Sequence, residues 1–282
     1  MREEVCPVDE LEFSSDGASP VAGPVFEAID ARSSTRAFAG QATDEQRAAV
    51  LHAALRAPTA GNMTLCSIID IVDPAQRERV TKLCYDQRFM MDASMMLVFV
   101  CDYERTLDLF DYLGLWEEEG APERRAPGYG EFMLAAQDAM CAAQNAVVAA
   151  EALGMGSCYI GNVLDHAEEM AEVLELPPHT VPLSLLVIGP KAKPRPQTPH
   201  MQSGVVMRDH YRRADAAMME AQIAEMDAKL AAHSSQDNPG ARVRRNFRVK
   251  YATPDQDQMN ASGAAWLERW VAAEPPRDVR RG

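Results

Sequence analysis

The chain has 282 residues, 47% of them hydrophobic and 25% charged, with a formal net charge of −14. That is enough apolar sequence to bury a core in one or two domains. The acidity argues against a nucleic-acid binder, which needs Lys and Arg for phosphates, and against attraction to anionic membranes.

The N-terminal MREEVCPVDELEFSSDG lacks the charged-then-apolar pattern of a signal peptide, so a soluble cytoplasmic protein is expected. Residues 1–22 read as a loose arm. Val25 to Ala31 reads as a short helix leading into Arg32-Ser33-Ser34-Thr35-Arg36. Thr43-Asp44-Glu45-Gln46 is a capping box that opens a helix with Val50, Leu51, Ala54 and Leu55 on its apolar side, ended by Pro58. Cys66 to Val72 reads as a strand, and Asp73-Pro74 as the N-cap and first residue of a helix to about Cys84. Met95 to Cys101 is a continuous apolar run, the mark of a fully buried strand, and is too short to cross a bilayer.

Residues 103–130 read as an inserted, partly helical excursion. Glu131 to Leu153 is a long Ala-rich helix stopped by Gly154, and Ser157 to Ile160 is a short strand. Asp165 with Glu168 reads as the cap of a further helix, and Val181 to Gly189 as a third strong strand. A Pro-rich loop, a helix over Ala214 to Ala232, a basic stretch and a short helix near Ala264 to Ala272 complete the chain. Elements of this kind predict α/β or α+β architecture around a central sheet. None of the six cysteines is paired as CxxC, so reduced, buried thiols and no metal site are expected.

Three strings have chemical potential. Arg32 and Arg36 flank hydroxyls, and two guanidinium forks with several donors suit a dianionic phosphate, although a solvated loop has the same composition. Pro58-Thr59-Ala60-Gly61-Asn62 offers small residues that let backbone approach a flat ring; a plain helix-to-strand turn uses the same residues. Gly154 to Asn162 follows the long helix and could present N–H groups from a strand end, but it is not a dinucleotide fingerprint.

In order and spacing the three resemble the nitroreductase family of flavoenzymes. The resemblance rests on RSSTRAF at 32–38, APTAGN at 57–62, AAQNAVVAAEALGMGSCYIGN at 142–162 and VPLSLLVIG at 181–189. The stretch from Cys66 to Arg105 and the long C-terminal extension resemble the oxygen-insensitive major nitroreductases and NADPH-linked flavin reductases. The resemblance implies an α+β fold, with a mostly antiparallel sheet flanked by helices, in an intertwined homodimer. It implies an FMN-binding domain over 23–213 and a C-terminal helix and dimer arm over 214–282.

By the same resemblance, Arg32, Ser33, Ser34 and Arg36 hold the FMN phosphate and ribityl chain. Thr59, Ala60, Gly61 and Asn62 line the ring from the partner subunit, Gln87 hydrogen-bonds it, and Tyr159, Ile160, Gly161 and Asn162 cover its face. The family's late Lys-Pro-Arg is matched in composition by Lys193-Pro194-Arg195, whereas counting back from Tyr211 puts Gln197 to His200 there. The family's Gln-Pro-Trp after the Asn is replaced by Met63-Thr64-Leu65-Cys66. One of Arg242, Arg244 and Arg245 is expected to hold the 2′-phosphate of NADPH; a basic tail paired with the protein's own acidic surface is the other reading.

The implied activity is ping-pong hydride transfer from NADPH or NADH through FMN to a small-molecule nitroaromatic or quinone, with no catalytic side chain and no metal. The alternatives are a flavin reductase and a non-catalytic FMN carrier or sensor.

Overall fold

The computed structural model describes residues 22–193, 200–231 and 240–273. The expected N-terminal arm therefore lies outside the described residues up to position 21. Helix α1 (Pro24–Ala31) is followed by α2 (Asp44–Leu55). Thr43 starts α2 by the capping box read in the sequence: its Oγ1 accepts from Gln46 N at 3.2 Å, and Thr43 N donates to Gln46 Oε1 at 3.0 Å. Strand β1 (Cys66–Asp70) ends two residues early, and α3 (Pro74–Leu83) starts on Asp73, whose Oδ1 accepts from Gln76 N at 2.7 Å.

Strand β2 (Met95–Asp102) is buried at every residue, as its unbroken apolar run requires. The stretch expected as an excursion contains α4 (Glu104–Leu113), with Trp116 and Arg124 both donating to Asp111. Then come α5 (Tyr129–Ala152), β3 (Met155–Ile160), α6 (Ala167–Val173) and β4 (Thr180–Pro190). Helices α7 (Ala216–Ala231), α8 (Ala241–Asn246) and α9 (Pro254–Val271) follow.

The four strands form one antiparallel sheet in the order β1-β2-β4-β3. The β2–β4 register shifts between Phe99 and Val100, opposite Ser184 and Pro182; proline lacks the N–H that an unbroken ladder needs there. Helix α5 packs against the sheet and α2 against α5. Ala135, Ala139, Ala143, Ala146 and Ala150 are fully buried along α5, and their small side chains permit that close approach. In the core, Leu97, Val98, Leu185 and Ile188 are wholly inaccessible, each worth roughly 1.5–3 kcal/mol by apolar burial.

Three expectations are corrected. Cys141 is exposed where a buried thiol was expected, whereas Cys66, Cys84, Cys101 and Cys158 are buried. Asp165 does not cap α6: the capping position is His166, at φ 56° and without a side-chain cap bond, because the Asp165 carboxylate is engaged by Asn162. The last helix is also longer than the 264–272 reading. It begins at Pro254 and is fastened by Ser262, whose Oγ donates to Leu164 O at 2.6 Å, and by two buried tryptophans. Trp266 Nε1 donates to Leu164 O and Trp270 Nε1 to Gly128 O, each at 3.0 Å.

The described residues fall into two compact units. One lies within Arg32–Arg195 and Asp257–Gly282 and contains the sheet; the other lies within Met1–Ala31 and Pro196–Gln256.

Candidate functional site

The Arg32–Phe38 segment is extended and laid against the sheet. Thr35 N donates to Ser157 O at 2.8 Å, Ala39 N to Pro190 O at 3.0 Å and Ala192 N to Ala37 O at 3.1 Å. In an extended chain successive side chains alternate between faces. Ser33 and Thr35 accordingly turn inward and are buried, while Arg32 and Ser34 are half-buried and Arg36 is exposed. The alternation brings Arg32, Ser34 and Arg36 onto one outward face and leaves Ser33 on the other.

Gly156 in β3 makes this placement possible. A Cβ there would fall 2.7 Å from Thr35 Cβ and 2.9 Å from Lys191 Cγ. The Lys191 charge is already committed: its Nζ lies 2.5 Å from Glu151 Oε2, whose side chain is fully buried. Lys193 is exposed, and Arg195 lies outside the described residues. Burial pushes the Tyr159 hydroxyl up to about 12, opposed by the nearby positive charge of Arg32. That link joins the arginine segment to the end of β3.

The loop from Thr59 to Leu65 is shaped by a residue the sequence reading passed over. Asp138, buried in α5, accepts from Ala60 N at 2.8 Å and from Leu65 N at 2.9 Å. The backbone between is sharply turned, with φ 55° at Gly61, 58° at Asn62 and 56° at Thr64. Arg105 of α4, also unassigned from sequence, donates to Thr64 O and, at 2.9 Å, to Cys66 O. A cavity of ≈ 380 Å³ opens beside the loop, lined by Leu51, Leu55, Thr59, Thr64, Cys66 and Ile68 among others. A lone acid in the Ala-rich AAQDAMCAAQ was the one available signal for Asp138.

Gln87 and Asn162, far apart in sequence, meet. Gln87 Nε2 donates to Asn162 Oδ1 at 3.1 Å and to Cys84 O at 3.0 Å, and Asn162 Nδ2 donates to Asp165 Oδ2 at 3.0 Å. Gly161 beside them faces open space, with no atom of the described residues within 4 Å of the position a Cβ would take. The arrangement is cationic at the arginine segment, with neutral amides and bare backbone at the other end of β3. It fits an elongated ligand with an anionic head and a flat polar ring.

Arg242, Arg244 and Arg245 lie in α8, in the second unit. Asp227 of α7 accepts from Gly240 N at 2.5 Å and Arg242 N at 3.0 Å, and these bonds hold its carboxyl below the usual range. The Arg244 and Arg245 side chains are exposed. Among the described residues no group of three or more acids, histidines or cysteines is placed to hold a metal ion, and no helix is long and apolar enough to cross a membrane.

Comparison with known proteins adds an independent line. The sequence model of the Nitroreductase family matches residues 29–190. The chain is 28% identical to an oxygen-insensitive NADPH nitroreductase of Salmonella typhimurium over 229 residues, 79% of this chain and 91% of the relative. It is 30% identical to an NADPH-flavin oxidoreductase of Vibrio harveyi over 60% of this chain and 69% of the relative. Among solved structures, nitroreductase A of Vibrio parahaemolyticus superposes with a TM-score of 0.71 at 23% identity, covering 86% of this chain and 98% of that one. A nitroreductase of Bacillus subtilis gives 0.71 at 24%, covering 85% and 98%.

Proposed function

Since this chain belongs to the nitroreductase family, we propose that it is an FMN-dependent NAD(P)H oxidoreductase that works as a homodimer. The observation that carries the reading is the outward face of Arg32, Ser34 and Arg36 beside Gly156, with the Gln87–Asn162 amides beyond it. Arg32 and Arg36 would grip the phosphate, their planar forks matching its oxygens. The Thr59–Asn62 loop, held by Asp138, would line the ring of the partner subunit's site. Tyr159 to Asn162 would cover one ring face, with Gly161 leaving room for close stacking. Lys193, and Arg195 beyond the described residues, are the candidate late phosphate contacts.

When bound, FMN supplies a ring that takes and returns a hydride. The chain's own part is to hold the phosphate, orient the ring through Gln87 and keep one face clear. Donor and acceptor would take turns on that face, and no side chain is assigned a proton-transfer role. NADPH is the proposed donor, with Arg242, Arg244 or Arg245 at its 2′-phosphate. A nitroaromatic or quinone is the proposed acceptor. Free flavin is a second reading, favoured by the names of the NADPH-flavin oxidoreductase of Vibrio harveyi and an FMN reductase of Bacillus subtilis among the relatives.

Support for the dimer comes from uncovered apolar side chains: Met133, Leu134 and Met140 on α5, and Phe247, Val249 and Tyr251 in the second unit.

The test is spectral and kinetic. The purified protein should be yellow with releasable FMN, be bleached anaerobically by NADPH, and give parallel double-reciprocal lines with a nitroarene or quinone. Arg36→Ala should weaken FMN binding by about 1.5–3 kcal/mol, the range for hydrogen bonds to a charged group. A colourless protein that neither binds FMN nor oxidises NADPH would end this reading.

A further inference from the structure

We propose that Asp165 is a positioning residue that fixes which end of the Gln87 amide faces the flavin ring; the inference rests on the FMN reading above. Asp165 is 1% exposed and does not cap the helix that follows it. A carboxylate oxygen accepts hydrogen bonds. The amide of Asn162 must therefore turn its Nδ2 toward Asp165, which it does at 3.0 Å. The carbonyl end of the same amide then points at Gln87 and accepts from its Nε2 at 3.1 Å. The second N–H of that nitrogen is taken by the Cys84 carbonyl at 3.0 Å. Both amide hydrogens of Gln87 are committed, and only its Oε1 is left to face a ligand.

The chain Asp165–Asn162–Gln87 thus has a direction, set at its buried end by Asp165 and supported at Gln87 by the Cys84 carbonyl. If both amides flipped together, the Asn162 carbonyl would oppose the carboxylate, and Gln87 would lose its bond to Cys84. Among the described residues the other carboxylate oxygen, Asp165 Oδ1, has no hydrogen-bond partner, so the Asn162 amide is the side-chain donor to this buried carboxylate. The pyrimidine edge of an isoalloxazine carries two carbonyls with one N–H, at N3, between them. An amide donor would pair with a carbonyl; the Gln87 acceptor selects N3–H. Asp165, which touches no ligand, would in this way choose the contact made two residues along the hydrogen-bond chain.

The experiment compares FMN with 3-methyl-FMN, which lacks that N–H, by equilibrium titration of the deflavinated full-length protein. The wild type should favour FMN by about ten-fold, the scale of one hydrogen bond. Asp165→Leu, which removes the acceptor at similar size, and Asn162→Ala, which cuts the chain at its middle, should each narrow that ratio by about five-fold. A role confined to stability would weaken both ligands alike and leave the ratio unchanged; that result in the folded variants would overturn the proposal. Asn162→Ala decides alone if Asp165→Leu does not fold. Gln87→Ala separates the two levels. If it narrows the ratio while the other variants do not, the positioning role falls and the flavin site stands. If it changes neither FMN affinity nor the ratio, the ring contact of Gln87 falls, and the positioning role with it.

Discussion

Thr35 stands where a side chain on Gly156 would have to begin: a Cβ built on the glycine comes within 2.7 Å of Thr35 Cβ. Gly156→Ala should therefore push the Arg32–Arg36 segment off β3. Overpacking of this kind costs about 1–3 kcal/mol. FMN affinity should fall in the same variant, since the outward face is built on that contact. Urea unfolding and FMN titration check the two effects; normal affinity in a fully stable variant would detach the segment from the phosphate.

The carboxylate of Asp138 holds both ends of the Thr59–Leu65 loop. Asp138→Ala leaves two backbone donors unsatisfied, and a loss of about 1.5–3 kcal/mol is expected. The loop should become the preferred site of limited proteolysis. If neither stability nor the cleavage pattern changes, the loop is held by other contacts.

Three arginines in α8 are exposed or half-exposed, and one of them is expected at the 2′-phosphate of NADPH. Replacing that one by Ala should raise KM for NADPH and leave NADH nearly untouched, because the lost contact exists in one donor alone. Steady-state kinetics of Arg242→Ala, Arg244→Ala and Arg245→Ala decide it. Equal efficiency with both donors in the wild type would refute a phosphate-reading arginine.

Burial pushes the thiols of Cys66 and Cys84 from 9.0 up to about 11 and about 12. Folded-state values raised in this way favour folding fully below the unfolded value and progressively less as pH rises through the folded ones. Stability should fall from about pH 9 upward. Urea melts at pH 8, 9.5 and 10.5 measure the slope, and Cys84→Val should make it shallower. A flat profile across this window would contradict protonated, buried thiols.

Met133, Leu134 and Met140 remain exposed on α5, the helix whose other side packs against the sheet. Light scattering should give twice the 31.0 kDa chain mass. Met140→Glu should shift the equilibrium toward monomer and lower FMN occupancy together. A monomeric wild type that still holds FMN would show that one chain completes the site.

Local signals were the most legible part of the sequence. Thr43 and Asp73 cap their helices as read, because a cap needs only residues three apart. The unbroken run of β2 announced a strand with no solvent-facing side. Long-range polar contacts left no such trace. Nothing near Asp138 in sequence shows that it reaches the loop around Ala60, and Arg105 meets Thr64 and Cys66 only once α4 and β1 are packed. Asp165 satisfied the local pattern of a cap, yet Asn162, three positions before it, was a stronger competitor for its carboxylate. In α9, Gly263 and the polar PDQDQMNASG concealed a helix whose buried face is carried mainly by Ser262, Trp266 and Trp270. The same limit holds for the candidate site: its arginines and glycines were readable as a pattern, and the Asp165–Asn162–Gln87 chain was not.

The fastening of α9 also has a consequence for the order in which the protein is made. The carbonyls of Leu164, Gly128 and Leu176 receive Trp266, Trp270 and Arg269, so groups on the sheet-bearing unit wait for residues synthesised 102, 142 and 93 positions later. Until the ribosome has released the chain beyond Trp270, that side of the core is open, and a nascent chain stalled earlier carries an apolar recess with unpaired carbonyls. Commitment to the native state therefore comes late in synthesis, and a premature stop before α9 should send the product to chaperones or proteases instead of yielding a smaller folded domain.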